Sequence, residues 1–318
     1  FDGKPSFLQA AEHWYRNTYD VDLDWRTQLF AVEGAVDGLA ALFAVLVSEG
    51  DAVAYADPYY PSYHCMTLMS RAEEILLPSL AERGFLPDLD AVPGETWDRV
   101  KVLILNYPNN PTGAQAPREF LERAIELAHE HRFVIVQDFA YAGLGVRNQQ
   151  ISILSLPDAF DVTVEVCSLS KMYAMAGWRA GFIAGNDDIV SHVKQYHYQM
   201  GSMVTGNVQD AGTVALQSDQ ECVAELASRY ALRRQIVADG LRDAGLDVFD
   251  SDGGIYAWVH APEGLTGERF ADLLLERAAV AALPGTCFGK VGVDYVRFSL
   301  LKSEDQLREA VRRIAAVL

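Results

Sequence analysis

Apolar positions change their spacing along this chain, and each change marks an element. Leu39, Leu42, Phe43 and Leu46 recur at helical spacing, and Gly50 closes that segment. The run "AVAYADP" that follows reads as a short buried strand, and "VKVLILNYP" at 100–108 is a strand by its branched apolar residues. "REFLERAIELAHEHR" at 118–132 is an amphipathic helix, with Phe120, Leu121, Ile125 and Leu127 on or near its apolar face. "FVIVQD", "VTVEVCSL" and "RAGFIAGN" are further strands, each running into a polar or glycine-rich end.

This alternation of helices with strands that are apolar on both sides predicts an α/β fold. Its sheet is mostly parallel and covered by helices on both faces. After about Gln220 the pattern changes. A long charged helix ("ECVAELASRYALRRQIVADGLRDAG") leads into "GGIYAWVHAP", a helix at 267–278, "DYVRFSLL" and a terminal helix. That reads as a smaller α+β domain, so two domains are expected, at 1–219 and 220–318. No internal repeat, low-complexity tract or Ser/Gly linker interrupts the chain.

A length of 318 residues, half of them apolar, suits a large core and excludes wholesale disorder. The formal charge of −18, from 44 acidic and 26 basic residues, argues against a nucleic-acid partner. Cys65, Cys167, Cys222 and Cys287 are scattered, with no C-x-x-C, so neither a metal site nor a disulfide framework is expected. That usage fits a reducing cytoplasm. The longest fully apolar run, 39–47, is too short to span a membrane. No signal peptide is visible, and Phe1 reads as an internal start.

Open parallel sheets bind ligands at the carboxyl ends of their strands. At those ends stand Asn106 to Gly113 ("NYPNNPTG"), then Asp138 and Tyr141, then Ser168, Ser170 and Lys171. Lys171 alone reads as a solvated lysine. Beside Ser168, Ser170 and Arg179 it reads differently, because hydroxyls and a guanidinium fork are the donors that bind a phosphate. A sheltered amine there can form a Schiff base with an aldehyde.

Asp138 is either a helix cap or a carboxylate that keeps a pyridine nitrogen protonated. Asn110 lies in a turn motif, yet its amide can donate to a phenolate oxygen. "DPYYPSY" at 57–63 is a turn by its prolines, and its tyrosines can stack on an aromatic ring. Gly34, Ala35 and Val36 open a helix whose free N–H groups suit an anion. Arg297 is either a surface ion-pair residue or a clamp for a carboxylate.

The order of these pieces carries more than any one of them. With "GAVDGL", "DPYYPSY", "NYPNNPTG", "DFAYAGL", "SLSKMYAMAGWRAGF" and "VRFSLL" in sequence, the chain resembles the class I/II pyridoxal-phosphate aminotransferases of fold type I. The resemblance spans essentially the whole chain. "DFAYAGL" with the serine–lysine motif looks most like the alanine and LL-diaminopimelate aminotransferase branch.

What the resemblance implies is specific. Lys171 matches the Schiff-base lysine and Asp138 the partner of the pyridine nitrogen. Tyr141 and Asn110 match the donors to the ring 3-oxygen, and Tyr60 the residue stacked on the ring. Ala35, Val36, Ser168, Ser170 and Arg179 match the phosphate cup. Arg297 matches the residue that holds the substrate α-carboxylate. The implied reaction moves an amino group from an L-amino acid to a 2-oxo acid, with 2-oxoglutarate as acceptor, in a homodimer. A β-elimination lyase on the same fold and a non-catalytic cofactor-binding protein are the competing readings. Family members carry a further segment ahead of "FDGKPSFLQA" that covers the substrate, and this sequence opens after it, so a weaker hold on the substrate than on the cofactor is expected of it.

Overall fold

A computed structural model describes residues 2–145, 150–200 and 203–318. Among them, seven strands form one sheet: β1 (Leu29–Val32), β2 (Ala52–Asp57), β3 (Glu73–Pro78), β4 (Val100–Leu105), β5 (Val134–Asp138), β6 (Thr163–Ser168) and β7 (Gly181–Gly185). Their order is β1-β7-β6-β5-β4-β2-β3. The pairings among β3, β2, β4, β5 and β6 are parallel, while β7 runs antiparallel to both β6 and β1. The carboxyl ends of β1, β2, β4, β5 and β6 therefore share one edge with the start of β7.

Both faces of the sheet are covered, which explains the unbroken apolar runs. Val102, Ile104 and Val136 pack with Leu39, Leu42 and Phe43 of the helix Ala35–Leu46, and with Val190 and Val193 of the helix Asp187–Met200. Leu103, Leu105 and Ile135 point the other way, into a cluster with Leu121 and Ile125 of the helix Arg118–His131. Burying such a side chain contributes roughly 1.5–3 kcal/mol. Gly38 lets the helix Ala35–Leu46 lie close on the sheet, since a Cβ there would meet Val166 Cγ1 at 2.9 Å.

The helix Pro5–Tyr19 covers β1, β6 and β7 through Phe7, Trp14 and Tyr15. Beneath it lies a fully buried carboxylate, Glu165 of β6. It accepts hydrogen bonds from the Tyr15 hydroxyl (2.7 Å), the Ser152 hydroxyl (2.8 Å) and the Ile153 N–H (2.7 Å). Burial pushes its pKa up to about 7 against the pull of these donors.

A second sheet, antiparallel throughout, has the order β8-β10-β9, with β8 at Tyr256–His260, β9 at Leu283–Pro284 and β10 at Tyr295–Ser299. It packs with the helices Glu221–Asp243, Gly267–Leu273 and Glu304–Ala315 around Val259, Phe270, Leu274 and Val296. The two sheets are tied where β2 ends. The buried Asp57 carboxylate accepts from the N–H groups of Lys290 (3.0 Å) and Val291 (3.2 Å), and Tyr59 N–H donates to the Phe288 carbonyl at 2.8 Å.

Candidate active site

The strand ends of the large sheet bring Ala35, Val36, Tyr60, Asn110, Asp138, Tyr141, Ser168, Ser170, Lys171 and Arg179 onto one cavity of about 170 Å³. These are all the cavity residues expected from the motifs. Arg297, the remaining expected site residue, does not line that cavity. It stands behind the wall and touches it through Asn110 and Tyr256.

One end of the cavity is built for an anion. Gly34 precedes the helix Ala35–Leu46 with φ 89°, a conformation that favours glycine. The first helical N–H groups, including those of Ala35 and Val36, lack intrahelical acceptors and carry the positive end of the helix dipole. Arg179 is anchored beside them, donating from Nη2 to the Glu33 carbonyl (3.1 Å) and from Nη1 to the Ala176 carbonyl (3.2 Å). A Cβ at position 34 would meet Arg179 Nη2 at 2.8 Å, so a side chain there would collide with the cradle. Ser168 Oγ caps the short helix Leu169–Met172 by accepting from Ser170 N–H at 3.2 Å, which leaves its own proton to donate. Lys171 lies on that helix, half-buried, with no ion-pair partner among the described residues.

The floor is the end of β5. Asp138 is buried, and Tyr63 donates to its Oδ2 at 2.6 Å, while Ala140 N–H reaches Oδ1 at 3.3 Å. Burial raises the Asp138 carboxyl to about 6, and the two hydrogen bonds oppose the rise. Asn106 joins neighbouring strand ends: its Nδ2 donates to the Asp138 carbonyl at 2.9 Å, and its Oδ1 accepts from Asn110 N–H at 2.9 Å.

The far wall is aromatic and cationic. Tyr141 is buried, its ring edge-on to that of Tyr256 at 6.2 Å; burial, then the Tyr256 charge, raises its pKa well above the usual phenol range. Arg297 Nη1 donates to Asn110 Oδ1 at 2.7 Å. With that oxygen engaged, Asn110 keeps its amide N–H₂ for the cavity. The guanidinium lies 3.9 Å over the Tyr256 ring and 4.5 Å over the Phe288 ring. Its Nε is buried without a partner among the described residues.

Three contributors escape the motif reading. Tyr63 and Asn106 sit inside quoted motifs but look like turn residues. Tyr256 follows two glycines in a strand, and only the fold shows that it reaches the cavity. A larger groove of about 730 Å³, with Val237, Leu241, Val311 and Ile314 on its walls, is lined by none of the expected site residues. Among the described residues no group of three His, Cys, Asp or Glu side chains is placed to hold a metal ion, and no helix is long and apolar enough to cross a membrane.

The arrangement fits pyridoxal 5'-phosphate. An anion cradle, an amine and a buried carboxylate with no cationic partner among the described residues line one cavity, and that carboxylate can accept a further hydrogen bond from a protonated ring nitrogen.

Comparison with known proteins points the same way. The family described as aminotransferase class I and II matches residues 1–314. L-glutamine–4-(methylsulfanyl)-2-oxobutanoate aminotransferase of Bacillus subtilis is 39% identical over 315 residues, covering 99% of this chain and 79% of that protein. LL-diaminopimelate aminotransferase of Syntrophobacter fumaroxidans is 38% identical, covering 99% and 81%. The substrate-bound BacF structure from Bacillus subtilis superposes with a TM-score of 0.96 at 34% identity, covering 99% of this chain and 81% of its own. A match of this extent, on a fold that gathers the motif residues at one sheet edge, places the chain among the class I and II aminotransferases, enzymes that depend on pyridoxal phosphate.

Proposed function

We propose that Arg297 receives the α-carboxylate of an L-amino acid whose amino group passes, at Lys171, to a 2-oxo acid, with 2-oxoglutarate as acceptor. The observation that carries this reading is the Arg297–Asn110 contact of 2.7 Å, which ties a carboxylate-binding cation to the wall shared with Lys171.

Each residue has a role in this proposal. The bound cofactor supplies an aldehyde and an electron-poor ring. Lys171 Nζ would hold that aldehyde at rest; once freed, it would take the proton from the substrate α-carbon as a base and deliver it to the former aldehyde carbon as an acid. The Asp138 carboxylate holds a proton at the ring nitrogen by charge. Tyr141 and Asn110 donate to the ring oxygen, and Tyr60 stacks on the ring face. The N–H groups of Ala35 and Val36, the hydroxyls of Ser168 and Ser170 and the Arg179 fork hold the phosphate. Arg297 grips the carboxylate, and the apolar Phe288 and Tyr256 rings shield that pair from water.

The working unit is a two-fold homodimer, since family active sites lie at a subunit interface. Four free cysteines, Cys65, Cys167, Cys222 and Cys287, fit the cytoplasm. Residues 1–219 form the cofactor-binding domain and 220–318 the smaller one. The donors named for the relatives, L-glutamine and LL-diaminopimelate, head the candidates here together with L-alanine. A donor–acceptor panel on purified protein, followed by oxo-acid release, tests the reading. Steady release of pyruvate, ammonia and homocysteine from cystathionine with no acceptor present would sink it in favour of the lyase.

A further inference from the structure

Tyr63 is placed to do more than close a turn. Its hydroxyl donates to Asp138 Oδ2 at 2.6 Å, and the two residues are only 2% and 4% exposed. Its ring is wedged edge-on between Tyr60 (5.7 Å, 79°) and Tyr55 (5.8 Å, 64°). Its carbonyl accepts from the Thr67 hydroxyl at 2.8 Å, within the helix Pro61–Met69. The hydroxyl is therefore held in one place. Burial and then the Asp138 charge push the Tyr63 phenol well above its usual range, so it stays a donor.

Asp138 and a pyridine nitrogen compete for one proton. A hydrogen bond donated to the carboxylate lowers its proton affinity and favours the nitrogen. Without that bond, burial draws the proton toward the carboxylate against the Ala140 N–H, and the ring nitrogen keeps a smaller share of it. Only Ala140 N–H, at the longer 3.3 Å, offers Asp138 a second side-chain contact among the described residues. We infer that Tyr63 is a positioning residue that keeps Asp138 ionised and turned to the cavity, so that the shared proton sits on the ring nitrogen. The inference rests on the Asp138 role proposed above. Of the forces on the Asp138 carboxyl, the Tyr63 bond is the largest that opposes burial.

The test uses the full chain loaded with pyridoxal phosphate labelled with ¹⁵N in the ring. Wild type shows the ring ¹⁵N shift of a protonated nitrogen, and Asp138→Asn that of an unprotonated one. Tyr63→Phe, which removes one oxygen, moves the shift part of the way toward unprotonated. It also lowers turnover about ten- to a hundredfold, the scale of a hydrogen bond to a charged group. Cofactor affinity changes much less, because the phosphate cradle is untouched. A wild-type shift in Tyr63→Phe overturns the role of Tyr63 while leaving that of Asp138 intact. A protonated shift in Asp138→Asn overturns the Asp138 reading itself. If Tyr63→Phe fails to load, 3,5-difluorotyrosine at position 63 decides, since it keeps the ring and strengthens the donor. Its nitrogen must be at least as protonated as in wild type, and a less protonated one overturns the inference.

Discussion

Arg297 Nη1 donates to Asn110 Oδ1 at 2.7 Å, joining the smaller sheet to the turn that follows β4 of the larger one. The contact spends one of the five N–H groups of the guanidinium. Two rings hold its plane, and Nε has no partner among the described residues. Arg297→Lys keeps the charge but loses the fork. Affinity for the donor amino acid should fall about ten- to a hundredfold, with cofactor affinity unchanged. Titrating amino acids against the visible absorbance of the loaded enzyme checks this. An unaltered titration would show that the carboxylate is bound elsewhere.

Lys171→Ala should abolish turnover, by about a thousandfold or more, because the covalent anchor and the base vanish together. Borohydride reduction of the wild type should fix the cofactor on the peptide containing Lys171, read by mass spectrometry. Label on any other lysine would refute the assignment.

Asp138→Asn should keep most of the cofactor affinity, which comes from the phosphate cradle, yet lose roughly 10²–10³ in turnover. An amide cannot hold the ring proton by charge. Near-normal turnover in a loaded Asp138→Asn protein would mean that ring protonation is not maintained from this position.

Glu165 makes stability depend on pH. Its folded pKa of about 7 lies above the ordinary 4.5, so between those values the folded chain binds more protons than the unfolded one. Stability is then full below about 4.5 and falls as pH rises through about 7, by up to about 3 kcal/mol. Asp138, raised from 3.8 to about 6, adds a slope of the same sign in protein free of cofactor. Glu165→Gln should flatten the Glu165 part. Urea unfolding at pH 5 and pH 8 measures it, and an equal slope in both proteins would count against the argument.

Sedimentation of the purified chain should give a dimer, the state proposed above. A monomer that transaminates at full rate would remove the subunit interface from the account.

The strands β4, β5, β6 and β7 were legible because each is an apolar run ending in polar residues, the signature of a strand buried on both faces. The helix Ala35–Leu46 was legible from its apolar spacing. The helix Pro5–Tyr19 and the strands β1 and β3 were not singled out. β1 has only four residues, and in β3 just Leu77 is fully buried. Site residues with unusual chemistry in short motifs, such as Lys171 and Arg179, could be picked out from the sequence. Tyr63, Asn106 and Tyr256 could not, because their importance lies in what they touch. A tyrosine in a proline-rich turn says nothing of a carboxylate 75 positions later, and only the pairing of strand ends joins the two.

Because the parallel strands of the large sheet deliver their chemistry at one rim, their entry turns lie at the other. Residues 48–50, 98–99 and 132 are exposed there, each just ahead of β2, β4 or β5. The six residues of β2 put about 20 Å between residue 50 and the strand end near Tyr60. That rim is where a fluorophore, an affinity handle or a spliced-in reporter domain belongs, for a label there can report on the enzyme without standing in the way of its substrates.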